Sequence, residues 1–155
     1  MQFTLEQLRA TLLPTPPRIA LVLGSGLSLL ADRLDLKATW AFADLPGLVT
    51  SSVQGHRGQL LYGLWNNVPV LLFAGRIHYY EGHGWDAALS PIKLAADLGI
   101  QKLILTNAAG GIRPGFMPGT LMLLEHHLKC TQPRWWAKGV QKGDPIGYDW
   151  QLNDK

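Results

Sequence analysis

Ile19-Ala-Leu-Val-Leu-Gly-Ser-Gly-Leu27 decides the fold. Its first five residues form a short, unbroken apolar run, as expected of a strand covered on both faces. Gly24-Ser25-Gly26 then turns the chain sharply. Leu27 to Leu34 reads as a helix with Leu27, Leu30, Ala31 and Leu34 on one face. A buried strand, a glycine turn and a helix, in that order, open an α/β layer. Open sheets of this kind place ligands where their strands end. Glycines let the backbone approach such a ligand, the helix N-terminus directs N–H groups at it, and Ser25 adds a hydroxyl. Alone, the turn is equally well explained as a plain tight turn. It is neither a dinucleotide fingerprint nor a Walker loop, because the glycine spacing and the Lys-Ser/Thr pair are both absent.

Upstream, Thr4 and Gln7 have capping-box spacing, and Leu5, Leu8 and Leu12 follow at helical intervals. This helix should stop before Pro14, where Pro14-Thr-Pro-Pro17 forms a stiff connector. Downstream, Gln59 to Leu64 and Val68 to Phe73 read as strands, with Asn66-Asn67 as a hairpin turn between them. Trp85 to Leu98 reads as an amphipathic helix, kinked near Pro91 and stopped by Gly99. Lys102 to Thr106 is another apolar strand, running into the small-residue loop Asn107-Ala-Ala-Gly-Gly111, and a last strand is expected at Leu121 to Leu124. The alternation predicts an α/β fold: a mixed sheet with some antiparallel pairing, flanked by helices. Beyond Lys129 the pattern dissolves into Pro, Trp, Lys, Gly and Asp. We therefore expect residues 1–128 to form the sheet-bearing part, incomplete on its C-terminal side, and residues 129–155 a divergent tail.

With 155 residues, 47% hydrophobic and 16% charged, the chain can bury a real core and is not disordered. Its 14 basic and 11 acidic residues give a net charge of +3 and are mixed along the chain, with no Lys/Arg run to suggest nucleic-acid binding. The six Trp include the adjacent Trp135 and Trp136, which read as buried or interface surface. Cys130 is the only cysteine, so an intrachain disulfide is excluded and a reducing cytoplasm is expected. The start of the chain, with Glu6 and Arg9, lacks a signal-peptide core. No apolar run approaches the roughly 20 residues that span a bilayer.

Two further segments carry chemistry. Gly55-His56-Arg57-Gly58 sets a histidine between glycines, most simply a loop residue. Gly75-Arg76-Ile77-His78-Tyr79-Tyr80-Glu81-Gly82-His83 follows the apolar run ending at Phe73. On an extended chain Arg76 and His78 share a face and can reach one ligand. Arg suits an oxyanion through paired hydrogen bonds, and protonated His adds a charge-assisted donor. Glu81 can orient His78 and raise its proton affinity. The competing explanation is a surface ion-pair cluster.

Taken together and in order, Leu23-Gly-Ser-Gly-Leu27, Gly55-His-x-Gly58, Gly75-Arg-x-His-x-Tyr-Glu-Gly82 and Thr106-Asn-Ala-Ala-Gly-Gly111 resemble the trimeric purine nucleoside phosphorylases. The resemblance runs from about Ile19 to about Leu128. It implies a nucleoside phosphorylase-like sheet and phosphorolysis of inosine- or guanosine-type nucleosides to free base and ribose 1-phosphate. It assigns the phosphate site to Ser25, His56, Arg76, His78 and the backbone of Ala108, lays Tyr80 along the nucleoside, and makes Glu81 the carboxylate supporting the phosphate site, with His78 and Glu81 as the catalytic pair. The small side chains at Asn107 to Gly111 fit, because backbone N–H groups reach an oxyanion only where side chains are small. Phosphate is a co-substrate, no metal or organic cofactor is implied, and the assembly is a homo-oligomer, a trimer by resemblance.

The pattern also departs from the family. Thr120 stands where the family has Asp, Lys129 where it has Asn, and Pro133-Arg-Trp-Trp136 where an aromatic side chain normally reaches a neighbouring subunit. Arg57 adds a charge beside the phosphate site. The family's purine-reading carboxylate and amide come from further along its chain than this sequence extends, which implies weak or absent turnover. The main alternative is a non-catalytic remnant that binds phosphate or assembles with partner subunits. A zinc site at His126, His127 and Cys130 lacks the usual ligand spacing. A Rossmann-type nucleotide binder would need Asp44 as its ribose acid, in the unfavourable context Ala43-Asp44-Leu45-Pro46.

Overall fold

The computed structural model describes residues 3–51 and 57–125. Its strands are β1 (Ile19–Val22), β2 (Asp35–Ala41), β3 (Gln59–Trp65), β4 (Val68–Ala74) and β5 (Lys102–Leu105), and its helices are α1 (Leu5–Leu12) and α2 (Gly84–Asp97). The five strands form one mixed sheet in the order β2-β3-β4-β1-β5. β1 runs parallel to both β4 and β5, whereas β2–β3 and β3–β4 are antiparallel. The apolar run at Ile19 is thus the strand covered on both faces that its sequence predicts, here an inner parallel one. Ala20 and Val22 enter one core cluster with Leu8 and Leu12 of α1 and Leu94 of α2, while Ile19 and Leu21 pack on the other face with Ala31, Leu34 and Leu72. Phe73 and Leu71 are completely buried, each contributing about 1.5–3 kcal/mol from lost water contact.

Local chemistry sets the element ends. Thr4 Oγ1 accepts the Gln7 N–H at 3.2 Å and Gln7 Oε1 accepts the Thr4 N–H at 2.8 Å, closing the predicted capping box. Arg9 at the other end of α1 donates to the Asp97 carbonyl at 2.5 Å, tying α1 to the C-terminus of α2. Asn66 and Asn67 take positive φ of 47° and 64°, as a tight hairpin between right-twisted strands requires. Pro91 inside α2 has no N–H for the Ala87 carbonyl, and the Ser90 hydroxyl supplies that donor at 2.7 Å. Gly99 N–H then bonds the Ala96 carbonyl and Ile100 N–H the Ala95 carbonyl, the paired bonds of a Schellman stop.

Three expectations are corrected. Leu27 to Leu34 does not form an α-helix; Ser28–Arg33 is a 3₁₀ helix with no side-chain cap at its start. The apolar face is still the predicted one, because Leu27/Leu30 and Ala31/Leu34 are spaced by three, the 3₁₀ repeat. Leu121 to Leu124 forms no strand: among the described residues it has no ladder partner, and Leu121 and Leu123 are 89% exposed. Conversely, β2 was not expected. It is an edge strand with a register shift between Leu36 and Ala38, and its sequence, Asp35-Leu36-Lys37-Ala38-Thr39-Trp40, carries the polar/apolar alternation of a half-buried strand.

The chain divides into two compact units, Met1–Gly110 and Gly111–Lys155. The first holds the whole sheet. In the second, Gly115 and Gly119 take positive φ, and turn bonds run from Phe116 N–H to the Arg113 carbonyl and from Thr120 N–H to the Met117 carbonyl. Ile112, Met117 and Leu121 there are largely exposed.

Candidate active site

Strand direction explains why distant motifs meet. β1, β4 and β5 are parallel, so Gly24-Ser25-Gly26, Gly75-Arg76 and Thr106-Asn107-Ala108 all leave the same edge of the sheet. β3 is antiparallel to β4 and begins at that edge, where Gly58 N–H bonds the Ala74 carbonyl at 3.0 Å. Arg57 and Gly58 therefore arrive there too. His56 itself, expected in the phosphate site, lies outside the described residues, as do His126, His127, Cys130, Trp135 and Trp136.

Arg76 is half-buried and donates from Nη1 to the Thr106 carbonyl at 3.0 Å. A guanidinium has five N–H donors, and this bond uses one of them. His78 follows with extended backbone (φ −99°, ψ 146°) and opens a short 3₁₀ turn, Tyr79–Glu81. Glu81 folds back on it: Oε1 accepts the His78 N–H at 2.7 Å and faces His78 Nδ1 at 3.2 Å. The contact holds the imidazole against the carboxylate and so fixes the orientation of the ring. Oε2 accepts from the Ser51 hydroxyl at 2.9 Å. The side chain of Glu81 is 2% exposed and that of His78 20%. A carboxylate this enclosed does not belong to a solvated surface cluster, where ion pairs contribute little. It holds its partners in one geometry.

Tyr80 is 74% exposed and stacks on His78, with ring centroids 5.0 Å apart and planes inclined by 18°. Ser25 is exposed on the turn after β1, and Ala108 is exposed in the loop after β5, its carbonyl accepting from Asn107 Nδ2 at 3.3 Å. Arg57 has both arms on Asp32, at 2.9 and 3.3 Å. That pairing raises the guanidinium's proton affinity further, first through the hydrogen bond and then through charge, and it offsets the positive charge Arg57 would otherwise add at this edge. Among the described residues no three His, Cys, Asp or Glu side chains gather as a metal site, and no helix is long and apolar enough to cross a membrane.

Three residues with structural work at this edge were not singled out from sequence. Ser51 precedes the Gly55 motif by only a few residues, yet nothing in a lone serine announces its carboxylate partner 30 residues away. Asp32 follows the glycine turn as an ordinary exposed acid. Thr106 reads as the last residue of a strand, although it bonds to three other segments. Its signal was the single hydroxyl ending an apolar run.

Fold and loops together define an α/β protein with a mixed sheet whose glycine-turn and small-residue loops collect at the carboxyl ends of its parallel strands. The phosphorylase superfamily profile matches residues 18–153. The chain belongs to that family. It is 44% identical over 115 residues to purine nucleoside phosphorylase 1 of Geobacillus stearothermophilus, an alignment covering 74% of this chain and 42% of the relative. With the bovine purine nucleoside phosphorylase it shares 36% over 112 residues, 72% of this chain and 39% of the relative. A crystal structure of the Schistosoma mansoni purine nucleoside phosphorylase, complexed with a monocyclic inhibitor, superposes with a TM-score of 0.60 at 30% identity, covering 73% of this chain and 42% of that one. The chain thus spans about two fifths of the length of the relatives it matches.

Proposed function

We propose that this chain carries the phosphate-holding part of a purine nucleoside phosphorylase site and acts in phosphorolysis of inosine- or guanosine-type nucleosides. The observation that carries the reading is the meeting of Arg76, the His78–Glu81 pair and two small-residue loops at one edge of the sheet. Membership of the phosphorylase superfamily and likeness to purine nucleoside phosphorylases support it.

In this reading inorganic phosphate sits against Ser25, His56, Arg76, His78 and the Ala108 backbone, and the nucleoside lies above it along Tyr80. A phosphate oxygen forms a bond to the anomeric carbon as the bond from that carbon to the purine nitrogen breaks. The electron pair leaves with the purine, which takes up a proton. The sugar passes through an oxocarbenium-like transition state, and the phosphate dianion beneath it stabilises the developing charge. Glu81 keeps His78 oriented, and Arg76 and His78 hold the nucleophile in line, which lowers the barrier by making the encounter effectively unimolecular. The chemistry needs no metal or organic cofactor. The family resemblance supports a cytoplasmic location and a homo-oligomeric, trimeric assembly.

The test is phosphate-dependent release of hypoxanthine from inosine by the full 155-residue chain. Turnover that disappears in His78→Ala supports phosphorolysis at this site. Turnover that survives His78→Ala would place the chemistry elsewhere, and phosphate binding with no turnover would favour the non-catalytic phosphate binder.

A further inference from the structure

Thr106 is where three segments of the candidate site are joined. Its hydroxyl donates to the Val22 carbonyl at 2.9 Å and accepts the Gly24 N–H at 2.8 Å. Its own N–H bonds the same Val22 carbonyl at 3.2 Å. Its carbonyl accepts from Arg76 Nη1 at 3.0 Å. One residue therefore fixes where the Gly24-Ser25-Gly26 turn begins, where the Asn107-Ala108 loop begins, and how the Arg76 guanidinium is held. The approach is close: a Cβ on Gly24 would lie 2.4 Å from the Thr106 carbonyl oxygen. The hydroxyl both donates and accepts, so serine can replace it and valine, equal in shape, can do neither.

We infer that Thr106 is the positioning residue of the phosphate site, setting the glycine turn and Arg76 at a fixed separation without touching the ligand. The inference rests on the proposed phosphate site. Removing the hydroxyl leaves the Gly24 N–H without its acceptor and frees the turn from β5. Ser25 and Arg76 then address the same anion from a variable distance, and a preorganised site loses affinity when its groups must be ordered during binding.

The experiment measures inorganic phosphate binding to the full chain by calorimetry for wild type, Thr106→Val and Thr106→Ser, together with hydrogen exchange at the Gly24 amide. We expect Thr106→Val to bind phosphate on the order of tenfold more weakly, about the worth of one net hydrogen bond, and Thr106→Ser to bind as wild type. Exchange at Gly24 rises in the valine variant alone. Should Thr106→Val fail to fold, Thr106→Ala removes the same two bonds without adding a methyl group and carries the same expectation. If nucleoside turnover is present, the valine change raises KM for phosphate and leaves KM for inosine unchanged, a split that general loosening would not give. Equal phosphate affinity in wild type and the hydroxyl-free variants would overturn the inference and leave the phosphate site standing. Absence of phosphate binding in folded wild type would overturn the site and the inference together.

Discussion

Replacing Gly24 by alanine isolates the close approach between the end of β1 and the start of the loop after β5. The added Cβ would lie 2.4 Å from the Thr106 carbonyl oxygen, 2.8 Å from Asn107 Cα and 2.9 Å from the Thr106 carbonyl carbon. All three are backbone atoms, so no side chain can swing aside. β1 and β5 must separate at their carboxyl ends, at a cost of about 1–3 kcal/mol for overpacking. The separation also weakens two hydrogen bonds, Gly24 N–H to Thr106 Oγ1 and Thr106 N–H to the Val22 carbonyl, at about 0.5–1.5 kcal/mol each. Together these predict a loss of roughly 2–6 kcal/mol. Gly26→Ala is the control. Gly26 has φ +83° and no atom within 4 Å of an added Cβ, so alanine there meets only left-handed backbone strain, about 1–2 kcal/mol. Urea denaturation followed by tryptophan fluorescence reads both, with Trp40 buried in the core as one reporter. Equal midpoints for the two variants, or a Gly24→Ala loss below about 1 kcal/mol, would refute the close-contact reasoning.

Glu81→Gln keeps the shape of the side chain but places an amide nitrogen where one carboxylate oxygen faces either Ser51 Oγ or the backbone N–H and Nδ1 of His78. At least one charge-assisted bond is lost, so unfolding free energy should fall by about 1.5–3 kcal/mol, read by urea denaturation. Thr4→Ala removes the cap of α1 and should lower stability by about 0.5–2 kcal/mol without altering phosphate affinity, checked by thermal melting beside calorimetry.

Where local chemistry dictates the structure, the sequence was readable. The Thr4/Gln7 box, the Asn66-Asn67 turn and the Gly99 stop each depend on residues a few positions apart, and each forms as expected. The apolar run at Ile19 reads as a strand covered on both faces, and it is the inner strand β1. β2 was legible too, since Asp35 to Trp40 alternates polar and apolar residues, but the sequence reading gives it no strand; Trp40 pairs across to Leu60. Leu121 to Leu124 shows the converse: an apolar run does not make a strand without a neighbour with which to share hydrogen bonds. At the site, motif order pointed to Arg76, His78 and Glu81, and sequence spacing alone suggested the contact within the His78–Glu81 pair. Nothing local marks Ser51, whose partner Glu81 lies 30 residues on, and the Thr106 contacts with Val22, Gly24 and Arg76 exist only once the sheet order β4-β1-β5 brings those segments together.

Titration of inorganic phosphate into the isotope-labelled chain, followed by amide chemical shifts, tests the phosphate site most directly. The sheet-edge site predicts saturable shifts concentrated at Gly24 to Leu27, Arg76 to Glu81 and Asn107 to Ala109, diminished in Arg76→Ala. No shifts in folded protein, or shifts scattered over the surface and unchanged by Arg76→Ala, would contradict it.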